Sequence, residues 1–115
     1  MLIHCTAGKD RTGLLAALTH HVLGVHDDDI HADYLLTNLA ARVDARLPVV
    51  TQALEASLGK RPSETAVRAF LGVDASYLDA AFAAIRARSG SIETYLDAIG
   101  ADAATREAIR ARLIV

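Results

Sequence analysis

The chain has 115 residues, 52% hydrophobic, 23% charged and 4% aromatic, with a formal net charge of -2. That length suits one domain, the composition excludes a disordered polyelectrolyte, and the charge gives no global pull toward nucleic acid or an anionic membrane. No apolar run approaches the ~18 residues of a membrane span, Met1-Leu2-Ile3 meets polar His4 at once instead of opening a secretory signal, and the lone Cys5 cannot form an internal disulfide, so a reducing, cytoplasmic setting is expected for this chain.

Met1–His4 reads as the end of a short β-strand, because Leu2-Ile3 is an apolar pair before a glycine-bearing loop. Leu14, Leu15, Leu18, Val22 and Leu23 then recur at helical spacing from Thr12 onward, and Gly24 ends the run. Asp27-Asp28-Asp29 supplies cap candidates and an acidic first turn for a second helix with Ile30, Tyr34 and Leu35 inside, ended or kinked at Asn38. Over 39–58 the apolar spacing is again helical, with a kink or helix start expected at Pro48. Gly59-Lys60-Arg61-Pro62 is a connector, and Ser63 caps a short helix ending near Leu71-Gly72. Three further helices follow. One is capped by Asp74 and closed by Gly90, one is flanked by Ser91 and Thr94 and closed by Gly100, and the last is capped by Asp102 with Ile109 and Leu113 inside. The expected fold is mostly α, a single unit over 1–115 with at most one short N-terminal strand.

Chemistry concentrates in His4-Cys5-Thr6-Ala7-Gly8-Lys9-Asp10-Arg11-Thr12-Gly13. Cys5 and Arg11 are separated by five residues in a glycine-bearing loop that runs into a helix. Backbone N–H groups of such a loop, here from Thr6 to Arg11, converge on phosphate oxygens, and the helix N-terminus adds its field. Arg11 can grip two oxygens through its planar fork. The same groups favour the thiolate of Cys5 over the thiol, which makes it a nucleophile toward phosphorus. The Thr12 hydroxyl can steady that thiolate as a leaving group. His4 and Gly13 support the loop, His4 as an orienting group rather than a base. Asp10 has two readings, a general acid for the departing alkoxide or phenoxide and a loop tie through backbone hydrogen bonds. Lys9 stands at the rim, either reading an additional phosphate or solvated. The chemistry calls for no cofactor or metal, and His20, His21, His26 and His31 show no ligand spacing.

The motif resembles the Cys-x5-Arg loop of the tyrosine and dual-specificity phosphatase superfamily. The full string is similar to that of the bacterial, often secreted, atypical tyrosine/serine phosphatase family that also acts on phosphoinositides. The resemblance implies that Cys5 is the nucleophile, Arg11 the phosphate binder and Asp10 the acid, and it links Lys9 to lipid-headgroup or broader specificity. Ala32–Asn38 resembles the helix after that family's catalytic helix, and the stretch from Tyr77 to Leu113 its closing helices. The likeness covers the family's C-terminal half only, so the α/β fold it implies would lack its upstream strands here. Expected partners are a phosphorylated protein or phosphoinositide, with phosphate or sulfate able to occupy the loop. A homo-oligomer is also expected, formed through surface the missing half would cover; sedimentation at low micromolar concentration would then show a species larger than a monomer, and a clean monomer would contradict it.

Competing readings have different consequences. A truncated chain that binds oxyanions with little turnover, or a plain structural helical domain, would keep the sequence and lose the activity, because misplacement by ~1 Å can cost ~100-fold. An ATP-binding phosphate loop fails because Gly8-Lys9 is followed by Asp10, not Ser or Thr, and Ile3 stands where the early glycine belongs. Arsenate reduction ordinarily wants further thiols, which the chain lacks, and sulfur transfer gives no reason for the Arg11-Thr12 pair.

Overall fold

The computed structural model describes all residues, Met1–Val115. Seven helices account for the regular structure: α1 Asp10–Val22, α2 Asp27–Ala40, α3 Val43–Leu58, α4 Glu64–Leu71, α5 Ala75–Ser89, α6 Ile92–Ala98 and α7 Ala103–Leu113. The mostly α expectation holds. The strand end does not form: residues 1–4 take no regular structure, and Met1 and Leu2 are exposed. A strand needs a partner for its ladder, and no other segment of the chain is a strand.

Helix ends follow side-chain chemistry. Ser63, Asp74, Ser91 and Asp102 each accept a hydrogen bond from a first-turn N–H, at 3.1, 2.9, 3.0 and 2.9 Å. Gly24, Gly59, Gly90 and Gly100 have positive φ just beyond helices, which glycine adopts without steric cost. Four local readings need correction. His26, not an aspartate, caps α2, its Nδ1 accepting from the Asp28 N–H at 3.2 Å, while the three aspartates fill the first turn. Asn38 neither ends nor kinks the helix by its own backbone; its side chain bonds Val73, 35 residues away, and α2 runs on to Ala40. The break falls at Arg42, in the left-handed region at φ 50, and α3 runs through Pro48. Pro48 has no N–H, so the Asp44 carbonyl forgoes its helical partner. Leu113 is 57% exposed, not inward; Ile109 is the α7 residue that packs on the core.

Two cores result. The larger joins α1, α2, α5 and α6 around Leu18, Ile30, Tyr34, Leu78, Phe82, Ile92 and Leu96. The smaller, Val43, Val67 and Leu71, lies inside the α3–α4 hairpin. The hairpin stands apart from the body, which explains extents of 52 × 32 × 24 Å and a radius of gyration of 17.0 Å; a compact chain of this length would have about 13 Å. The accessible surface of 7823 Å² likewise exceeds the roughly 6,100 Å² expected for a folded monomer of this mass. Apolar side chains therefore remain uncovered, among them Leu2, Leu39, Val49 and Phe70.

Histidines tie helices across the larger core. His21 Nε2 meets Glu93 Oε1 at 2.8 Å, joining α1 to α6. His31 joins α2 to α5, with Nδ1 on the Asp27 carbonyl at 2.8 Å and Nε2 on the Asp79 carboxylate at 2.7 Å. Both partners of His31 only accept, so both ring nitrogens must donate, which favours the imidazolium. The Asp27 carbonyl first, then Asp79, raise the His31 pKa. A raised folded value gives stability that is complete below the unfolded pKa of ~6.5 and lost as pH rises through the folded value. Exposure of the pair limits the effect to about 1 kcal/mol or less. Urea midpoints should fall across that window in wild type and be flatter in His31→Asn; equal slopes would contradict the tie.

Candidate active site

The loop 4–9 enters α1 with Gly8 at φ 68, a left-handed value that glycine tolerates. Lys9 is the N-cap residue without a side-chain cap, and the first turn closes through the Gly13 N–H to the Lys9 carbonyl at 2.9 Å. The N-terminus of α1 thus keeps free N–H groups directed at the loop. The Cys5 thiol is half-buried there. Its pKa is lowered to about 6 by the Thr12 hydroxyl first, then the Thr12 N–H, with the Gly8 and Ala7 N–H groups adding to the effect and burial opposing it. A free thiol titrates near ~8.5, so Cys5 is mostly thiolate at neutral pH. The Thr12 hydroxyl is buried and makes no hydrogen bond within the usual geometry, yet it is the leading cause of the lowered Cys5 pKa.

Arg11 is exposed and donates from Nη2 to Thr6 Oγ1 at 3.2 Å, so the guanidinium lies against the loop with its other donors open. Ile3, His4, Cys5, Thr6, Arg11, Thr12 and Leu15 line an open cleft of about 540 Å³. The cleft therefore brings together Cys5, Arg11 and Thr12. His4 lines it too, but it is exposed and makes none of the side-chain hydrogen bonds expected of a loop orienter. Asp10 is the first residue of α1; its exposed carboxylate lies 3.8 Å from Lys9 Nζ and forms no bond to the loop backbone. No cluster of three His, Cys, Asp or Glu side chains offers a metal site.

Two supports were not legible in the sequence. Gly13 leaves room for the Tyr34 ring: a Cβ there would sit 2.8 Å from Tyr34 Cε2. Tyr34 is buried, and its hydroxyl is held above its ordinary pKa by burial and then by the charge of Asp10. Lys9 does not stand in solvent. It donates to the carbonyls of Ala69 at 3.0 Å and Gly72 at 2.7 Å, 60 and 63 residues along the chain. The aromatic ring of Tyr34 and the glycine at 13 were visible as residues; their contact, and that of Lys9, depend on tertiary packing.

The site is a loop before α1 that holds a cysteine of lowered pKa beside an arginine, and comparison with known proteins assigns the class. The model of the tyrosine phosphatase family matches residues 1–115, and the chain belongs to that family. It is 46% identical over 105 residues to a Cupriavidus necator protein assigned as a tyrosine-protein phosphatase, covering 90% of this chain and 37% of that protein. It is 37% identical over 123 residues to the triple specificity protein phosphatase PtpB of Mycobacterium tuberculosis, covering 99% of this chain and 44% of that one. A tyrosine-protein phosphatase of Nostoc commune is 30% identical over 116 residues, covering 98% of this chain and 38% of its own length. The chain therefore spans less than half the length of these curated relatives. No helix is long and apolar enough to cross a membrane.

Proposed function

We propose that the protein to which these residues belong hydrolyses phosphomonoesters through a cysteinyl-phosphate intermediate, with this chain supplying the C-terminal part of its catalytic domain. The observation that carries the reading is the Cys5 thiol, lowered to about 6 at the mouth of a cleft that also holds Arg11. In the first step the Cys5 sulfur attacks phosphorus and the P–O bond to the leaving group breaks. Asp10, exposed beside the loop, gives its proton to the departing oxygen. Arg11 and the N–H groups of the loop bind the equatorial oxygens, where preorganised donors are most effective. In the second step water attacks phosphorus, Asp10 takes its proton, the S–P bond breaks, and the Thr12 hydroxyl receives the returning thiolate.

Phosphotyrosine is the substrate class that the family suggests; phosphoserine or phosphothreonine and phosphoinositides, which the loop motif's resemblance implies, are the further candidates. Hydrolysis of an aryl phosphate tests the reading, in this chain and in the longer parent, with Cys5→Ser and Arg11→Ala beside wild type. Activity lost in both variants supports it, and undiminished turnover in Cys5→Ser would sink it. Turnover in the parent alone would leave the 115-residue chain as the oxyanion-binding piece.

A further inference from the structure

Lys9 is the least expected member of the loop. Its ammonium is largely withdrawn from solvent, 13% exposed, and is held by two main-chain carbonyls at the end of α4. Ala69 lies in the last turn of α4, where carbonyls lack helical partners and the helix dipole favours a cation. Gly72 is the C-cap that follows. The acceptor is itself fixed. Asn38 of α2 clasps Val73 from both sides, Nδ2 donating to the Val73 carbonyl at 2.9 Å and Oδ1 accepting from its N–H at 2.8 Å. Gly72 carries no Cβ that would strike Asn38 and Val43. The α4–α5 turn is therefore a rigid anchor, and Lys9 is the side chain of the loop that reaches it.

We propose that Lys9 is a positioning residue, which pins the loop 4–9 to the α4–α5 turn and thereby holds the Ala7 and Gly8 N–H groups on the Cys5 sulfur. The proposal rests on the reading of Cys5 as the nucleophile. Gly8 immediately precedes Lys9 and has φ 68; that φ sets how its N–H, part of the Ala7–Gly8 peptide, is turned, and Lys9 fixes the chain on the other side of it. With the pin removed, that flexible glycine is free to turn its N–H to water. Two charge-assisted hydrogen bonds from one ammonium are also stronger than neutral ones, which suits a pin in a loop otherwise held by few side chains. The assignment differs from a rim lysine that reads a second phosphate: here the ammonium is already engaged, and any second phosphate would have to displace the two carbonyls.

Alkylation of Cys5 by iodoacetamide as a function of pH, read by mass spectrometry on the 115-residue chain, tests the pin without requiring turnover. Wild type should show an inflection near about 6. Lys9→Met, similar in length but without donors, should raise it by about one unit, a tenfold change in the acid constant. Lys9→Arg, which keeps a cation and several donors, should restore most of the shift. Asn38→Ala removes no charge but loosens the anchor, so it should raise the inflection too, and the double variant should add little to Lys9→Met alone. An unchanged inflection in Lys9→Met overturns the proposal. So does a shift in Lys9→Met with none in Asn38→Ala, which would mean that the lysine acts by its field alone. A wild-type inflection near the ordinary ~8.5 would instead overturn the nucleophile reading on which the pin depends. Lys9→Gln, too short to span both carbonyls, repeats the measurement if Lys9→Met loses its helical circular dichroism.

Discussion

Replacing Cys5 with serine should reduce aryl phosphate turnover by on the order of 10^4-fold or more, since loss of a covalent nucleophile can cost up to about 10^6. The reason is ionisation as much as atom type. The cysteine thiol is brought to about 6 by Thr12, Gly8 and Ala7, so at neutral pH the attacking anion already exists. A serine hydroxyl in the same place stays protonated, and no histidine or other base is hydrogen-bonded to position 5 to remove its proton. The same ionisation sets the pH dependence: kcat/KM should rise as pH climbs through about 6, where the thiolate forms. Stepped-pH kinetics on the parent protein would check this, and a rate that is flat from well below that value to neutrality would contradict it. Under the proposed mechanism Arg11→Ala should weaken phosphate binding and turnover together, because its fork would grip both the bound ester and the charge of the transition state.

Leu78→Ala should cost about 2–5 kcal/mol of stability. Leu78 is 1% exposed and sits in the larger core with Ile30, Tyr34 and Phe82. Only 15 of 115 residues are buried, so the chain has few contacts with which to absorb the loss. Against a usual total of ~5–15 kcal/mol, the substitution should leave a substantial unfolded fraction at modest denaturant. The site would feel it through Tyr34, which lies in that core and against Gly13 in the first turns of α1. Urea unfolding with paired readouts, helical circular dichroism and Cys5 alkylation, should give both transitions displaced together. A wild-type midpoint for Leu78→Ala would contradict the place given to this core.

Much of the molecule could be read before its structure. Serine and aspartate caps and closing glycines are local signals, and they located the ends of α4, α5, α6 and α7 because capping depends on residues only a few positions apart. The order of Cys5, Arg11 and Thr12 was legible for the same reason: one loop and one helix turn carry all three. Failures came where a distant partner decides. Asn38 looked like a helix terminator and proved to be a clasp on Val73. Pro48 looked like a break, yet α3 passes through it and the chain turns at Arg42 instead. The end of a strand was expected at Leu2-Ile3, but the chain offers no strand to pair with it. Lys9 had no sequence signal for its anchor, because its acceptors are backbone carbonyls and any residue type supplies those.

The central claim is that Cys5 carries the phosphoryl group between substrate and water. Rapid acid quench of the parent protein during turnover of an aryl phosphate, followed by peptide mass spectrometry, tests it most directly. The expected result is a phosphoryl adduct on the Cys5 peptide, present during turnover and absent in Cys5→Ser. Turnover with a phosphoryl adduct on another residue, or with none on Cys5 when product release shows a burst, would contradict it.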